Sequence, residues 1–137
     1  MTAPPKAMEM IVIKKDNEGE TAPMLHDRAE LYLVQVLRSR GLSQRKANLT
    51  QALNDVFNNG GKATGPYTFN NNPVWHASAG REGSSCTLFY YKTTDGDAKL
   101  FAMGEHVAGP RGVTKYRITI YGQKDDPNFA LNKVISI

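Results

Sequence analysis

The stretch from Lys92 to Tyr121 limits most tightly what this chain can fold into. Asp95-Gly96 stands between two apolar-rich runs. That dipeptide is the strongest short hairpin signal, because a two-residue type I′ turn takes positive φ at both central positions. With those two residues as the loop, Lys92 pairs with Lys99, Tyr90 with Phe101 and Leu88 with Met103. Leu88, Tyr90, Lys92, Lys99, Phe101 and Met103 then share one face. Phe89, Tyr91, Thr93, Ala98, Leu100 and Ala102 share the other. Both faces are largely apolar, so the hairpin is expected at the centre of the domain, covered on at least one side by helices. Lys92 opposite Lys99 is a like-charge pair. The two read either as solvated lysines at the tip or as a site that shares an anion.

The strand predicted at 114–121 alternates. Tyr116, Ile118 and Ile120 fall on one side, and Lys115, Arg117, Thr119 and Tyr121 on the other. One side must meet the core, and the other meets water or a ligand. A glycine-rich loop is expected at 104–112 and carries His106 and Arg111. Gly104, Gly109 and Gly112 fit neither a Walker nor a dinucleotide spacing, so nucleotide binding through those motifs is set aside. The basic, hydroxylated strand face beside His106 and Arg111 is the leading site candidate. Its plain alternative is the ordinary solvent face of a sheet.

The 137 residues suffice for one domain with a single core, 1–137, in which 1–7 is disordered or extended. No apolar run approaches the roughly 20 residues that span a bilayer, so no membrane partner is expected. The single Cys86 excludes an intrachain disulfide and reads as a small core residue. One Cys and three scattered His leave no zinc-ligand spacing, so no metal and no cofactor is expected. The formal charge of +4 favours a polyanion or an acidic protein as partner.

Along the chain, 8–14 is β-prone and 15–24 is loop. Leu25, Ala29, Leu33, Val36 and Leu37 recur at helical spacing and predict a helix over about 25–40, stopped by Gly41. Ser43 is the expected N-cap of a second helix whose stripe is Leu49, Leu53, Val56 and Phe57. The short link makes the two an antiparallel helical hairpin. Residues 60–73 are rich in Gly, Asn and Pro and read as a long loop. A short strand follows at 74–78, then a turn at 80–83 that holds Arg81, then the hairpin. The end of the chain, 133–137, reads as a last edge strand. The sum is an α+β domain: a helical hairpin packed on one face of a mainly antiparallel sheet of four to five strands.

This order of elements, with the basic charge and with Lys92, Lys115, Arg117 and Tyr121 on strands, resembles the small RNase toxins of the RelE/ParE type. It also resembles the wider group of colicin-type tRNases and contact-dependent-inhibition toxin tips. The resemblance implies a bacterial, cytoplasmic-acting protein that cuts RNA without a metal, and an acidic antitoxin or immunity protein as a second partner. It implies catalysis by His106, Arg111, Lys115 and Arg117, with Lys92, Lys99, Tyr121 and Arg81 binding substrate. In that scheme His106 is base or acid, the arginines clamp phosphate, and tyrosines such as Tyr121, Tyr116 or Tyr67 stack on bases. Two other classes stand beside it: a non-enzymatic module that binds nucleic acid or protein through the basic strand face, and a phage or secretion accessory protein. His76, next to the single Trp75, reads as a surface residue.

Overall fold

The computed structural model describes residues 6–7, 11–13, 26–58, 60–81, 83–94, 98–108, 114–122, 126–129 and 134–136. Arg111 and the Asp95-Gly96 turn lie outside them. The protein is α+β. Its elements, in chain order, are β1 (Lys6–Ala7), β2 (Ile11–Ile13), α1 (His26–Ser39), a 3₁₀ turn (Ser43–Arg45), α2 (Lys46–Phe57), β3 (Lys62–Phe69), β4 (Asn72–Ala79), β5 (Cys86–Lys92), β6 (Ala98–Ala108), β7 (Thr114–Gly122) and β8 (Val134–Ser136). The strands form one sheet in the order β1-β7-β6-β5-β4-β3. β2 extends the β6 edge and β8 the β7 edge. The pairs are antiparallel except β1 with β7. The sheet therefore has more strands than the four to five expected.

The two helices form where the apolar period is 3.6. Leu33 and Leu37 of α1 and Leu49, Ala52 and Leu53 of α2 are fully buried. They pack on one sheet face against Cys86, Leu88, Tyr90, Leu100, Met103, Ile120 and Tyr121. Gly41 takes φ +71° and ends α1 as expected. Ser43 is not the N-cap of a helix that starts beside it. It opens the 3₁₀ turn, whose start has no side-chain cap bond.

The other sheet face carries a second core of Phe69, Val74, Phe89, Tyr91, Phe101, Ala102, Ile118, Phe129 and Ile135. Phe69 stacks on Phe101 at 4.0 Å, and Phe129 meets Phe89 and Phe101 edge-on at 4.9 and 5.1 Å. Phe129 is carried in by a tight turn. The Asp126 carboxylate accepts from the backbone N–H groups of Asn128 (3.0 Å) and Asn70 (2.8 Å).

Three expectations change. Residues 60–73 are not a loop: 62–69 and 72–79 form a hairpin. Its turn residues Asn70 and Asn71 take φ +49° and +65°, the conformation asparagine tolerates best after glycine. Pro66 is accommodated because β3 is an edge strand with a register shift between Ala63 and Thr68. The β5–β6 register slips by one residue between Phe89 and Tyr90. Tyr90 then faces Leu100, Tyr91 faces Lys99 and Lys92 faces Ala98. The β6–β7 ladder is irregular between Met103 and Glu105, where one residue of β6 spans three of β7. Gly104 sits at that point, and a Cβ there would lie 1.9 Å from the Arg117 carbonyl oxygen. The irregularity turns Ile120 away from the face of Tyr116 and Ile118 and places it, with Tyr121, under the helices.

Candidate functional site

The face opposite the helices is aromatic core at one end and polar at the other. His76 and Ser78, two apart on β4, point to the same side of the sheet. Thr87 is the cross-strand neighbour of Ser78, and His106 that of Tyr116. The Ser78 hydroxyl bonds to Thr87 Oγ1 at 2.7 Å and to His106 Nε2. The Tyr116 ring stands edge-on to both imidazoles, 5.2 Å from His76 and 4.9 Å from His106. These groups open into a cleft of about 240 Å³ lined by Asp55, Gly60, Lys62, His76, Ala77, Ser78, His106 and Tyr116.

The protonation of His76 follows from its partners. Its Nδ1 lies 3.0 Å from the Lys62 carbonyl oxygen, which only accepts. Nδ1 therefore carries the proton, and in the neutral ring Nε2 is the basic nitrogen. Burial lowers the His76 pKa from its ordinary value of 6.5. The Lys62 carbonyl works against this, and the charges of Lys62 and His106 add to it. His76 is thus held as a neutral base at neutral pH. Burial also raises the Tyr116 phenol, which stays protonated.

His106 is braced from behind. Its backbone N–H donates to the Ser85 hydroxyl at 2.9 Å, and Ser85 is fully buried. Arg45, 7 % exposed on the helix side, donates to the carbonyls of Ser85 (3.0 Å) and Gly83 (2.9 Å) and pairs with Glu105 (3.2 Å). Asn48 donates to the Ser84 carbonyl at 2.8 Å. One turn of helix thus fixes both chain segments that flank the Ser78–His106 contact.

The residues expected to form the site divide. His106 lies on strand β6 rather than in a loop, and it faces the cleft. Lys115 and Arg117 alternate with Tyr116, and Arg117 is the cross-strand neighbour of Glu105, whose side chain forms the ion pair with Arg45. Both therefore point to the helix side, away from His106. Tyr121 is fully buried and its hydroxyl has no hydrogen-bond partner among the described residues, so it is closed to a base. Lys92 and Lys99 occupy opposite faces and share no anion. Lys92 Nζ sits 3.7 Å from the Trp75 ring centre, and Lys99 Nζ 6.0 Å from that of Tyr91. Arg81 is an exposed turn residue outside the cleft lining. Cys86 is buried core, its thiol pushed up to about 12 by burial.

Sequence reasoning passed over His76, Ser78, Lys62 and Asp55. The His-x-Ser spacing on a strand was the available signal. Its link to His106 needed a register that no local pattern encodes. Among the described residues, no group of three or more His, Cys, Asp or Glu is placed to hold a metal ion. No helix among them is long and apolar enough to cross a membrane. No family model, curated protein or solved structure matches the chain.

Proposed function

We propose that the protein is a metal-independent endoribonuclease of the toxin type and that the His76–His106 cleft is its active site. The observation that carries this reading is the pair of imidazoles that both meet the Tyr116 ring in one cleft, one of them held neutral. RNA cleavage by transesterification needs a base at the 2′-hydroxyl, an acid at the leaving 5′-oxygen and a cation near the phosphate. His76 Nε2 takes the 2′-hydroxyl proton, and the oxygen attacks the adjacent phosphorus. His106, oriented by Ser78, protonates the 5′-oxygen as the P–O bond breaks. The products are a 2′,3′-cyclic phosphate and a 5′-hydroxyl. Lys62 at the cleft wall offsets the developing negative charge.

An acidic antitoxin or immunity protein is the second partner of this reading, supported by the +4 charge. The test is incubation with total bacterial RNA in EDTA. Discrete cleavage by the protein, lost in both His76→Ala and His106→Ala, supports the reading. Intact RNA throughout removes it. A second reading, binding without catalysis, is favoured by one observation: Lys115 and Arg117 lie together on the sheet face opposite Tyr116 and His106. In that case charge reversal at Lys115 and Arg117 abolishes RNA or protein binding, and the histidine variants do not.

A further inference from the structure

Asp55 is out of place for a phosphate cleft. It is the one acid among the described lining residues, and it stands in the last turn of α2 (Lys46–Phe57). A carboxylate there opposes the helix dipole, and beside a scissile phosphate it opposes the substrate as well. Its carboxylate has no ion pair or hydrogen bond among the described residues, and the residue is partly buried. Its backbone is fixed: the Asp55 carbonyl accepts the Gly60 N–H at 2.6 Å. The Gly60-Gly61 turn lies on the Tyr90 hydroxyl so closely that a Cβ at Gly61 would come within 1.9 Å of it. A carboxylate open to water is thus held at the cleft wall, and the buried Tyr90 hydroxyl, itself without a partner among the described residues, feels its charge.

Donors on a substrate can replace the water on that carboxylate. A carboxylate offers two adjacent acceptor oxygens and binds best to two parallel N–H groups. Of the four RNA bases, only guanine has two neighbouring donors, N1–H and N2–H, on its Watson–Crick edge. Adenine and cytosine place one amino group beside a ring acceptor, and uracil has one N–H between two carbonyls. That edge is open only in unpaired RNA. The cleft, at about 240 Å³, is below the roughly 300–1,000 Å³ of sites that enclose a drug-sized ligand. It suits one nucleotide of a chain that continues into solvent.

We propose that Asp55 reads an unpaired guanine, so that the cleft acts on single-stranded RNA beside guanosine. The inference rests on the ribonuclease reading for its reaction but not for its binding. The discriminating variant is Asp55→Asn, which has the same shape, replaces one acceptor by a donor and relieves the unfavourable dipole contact.

The experiment has two arms. In the first, the four 3′-mononucleotides are titrated against the whole protein, with the His76 and His106 ring resonances followed by NMR. 3′-GMP should bind roughly tenfold to a hundredfold more tightly than 3′-AMP, 3′-CMP or 3′-UMP, and Asp55→Asn should abolish the margin. 3′-IMP, which lacks the N2 amino group, should fall between. Equal affinities, or a guanine preference that survives Asp55→Asn, overturn the inference whatever the second arm gives. In the second arm, unstructured oligonucleotides with a single guanosine are tested for cleavage. Cleavage beside the guanosine supports the inference, and cleavage indifferent to it overturns it. Guanine-selective binding with no cleavage of any RNA supports the base site while removing the ribonuclease reading, so the two failures are told apart.

Discussion

Arg45 is the residue whose loss should be felt both in stability and at the candidate site. It is 7 % exposed and makes three contacts of 2.9–3.2 Å, to the Gly83 carbonyl, the Ser85 carbonyl and Glu105. Arg45→Met retains most of the aliphatic stem and deletes the charge. Breaking a buried pair by removing one partner costs about 3–5 kcal/mol. The Glu105 side chain is 21 % exposed, so water recovers part of its solvation and the lower end, about 3 kcal/mol, applies. For 137 residues, at about 2.1 cal/mol/K of unfolding entropy per residue, that lowers Tm by about 10 °C. Urea unfolding of wild type, Arg45→Met, Glu105→Gln and the double variant measures it. The double variant should recover about 1 kcal/mol or more of the summed loss, because the orphaned charge is gone. The His106 amide, whose acceptor Ser85 is held by Arg45, should lose hydrogen-exchange protection in Arg45→Met. A loss under about 1 kcal/mol, with Arg45→Met and Glu105→Gln additive, would refute the brace.

Further consequences are narrower. Phe129→Ala should cost about 3–5 kcal/mol by calorimetry, because the ring is 2 % exposed and wedged against Phe89 and Phe101. Stability should fall as the pH drops below about 6.5: the His76 pKa is lowered in the folded state, so the unfolded chain binds the proton first. His76→Gln should flatten that part of a pH series of urea midpoints. Ser78→Ala should slow RNA cleavage about tenfold to a hundredfold, as expected for a hydroxyl that orients His106. Complete loss with formation of a covalent Ser78 adduct would make Ser78 a nucleophile instead. Lys115→Glu with Arg117→Glu should leave the rate on a dinucleotide nearly unchanged, since both face the helix side of the sheet.

How much of this was legible in the sequence depends on the range over which each signal acts. The α1 and α2 stripes repeat over three or more turns, so Leu33, Leu37, Leu49 and Leu53 declared a buried side unaided. The apolar β5 run and the end strand at Val134–Ser136 were likewise visible. The β3–β4 hairpin was not, because its turn is Asn70-Asn71 without glycine and its strand holds Gly65 and Pro66. The site was the least legible part. A face assignment read by alternation survives only as long as the register does, and among the described strands it shifts in three pairings. One slip near Tyr90 separates Lys92 from Lys99, and the irregularity at Gly104 moves Ile120 from the side of Tyr116 and Ile118 to that of Tyr121, under the helices. A strand period of two also places Lys115 and Arg117 opposite Tyr116, and hence opposite His106. That exclusion was available once His106 was known to be on a strand rather than in a loop.

The proposed reaction cuts RNA with the substrate's own 2′-hydroxyl. The direct measurement uses a cleavable single-stranded oligonucleotide in EDTA beside the same sequence with one 2′-deoxyribose at the cut position. Cutting of the first alone is expected, with a 2′,3′-cyclic phosphate on the 5′ product by mass spectrometry, and none by His76→Ala. Cutting of the deoxy-substituted strand at the same position, or no cutting of either, would contradict it.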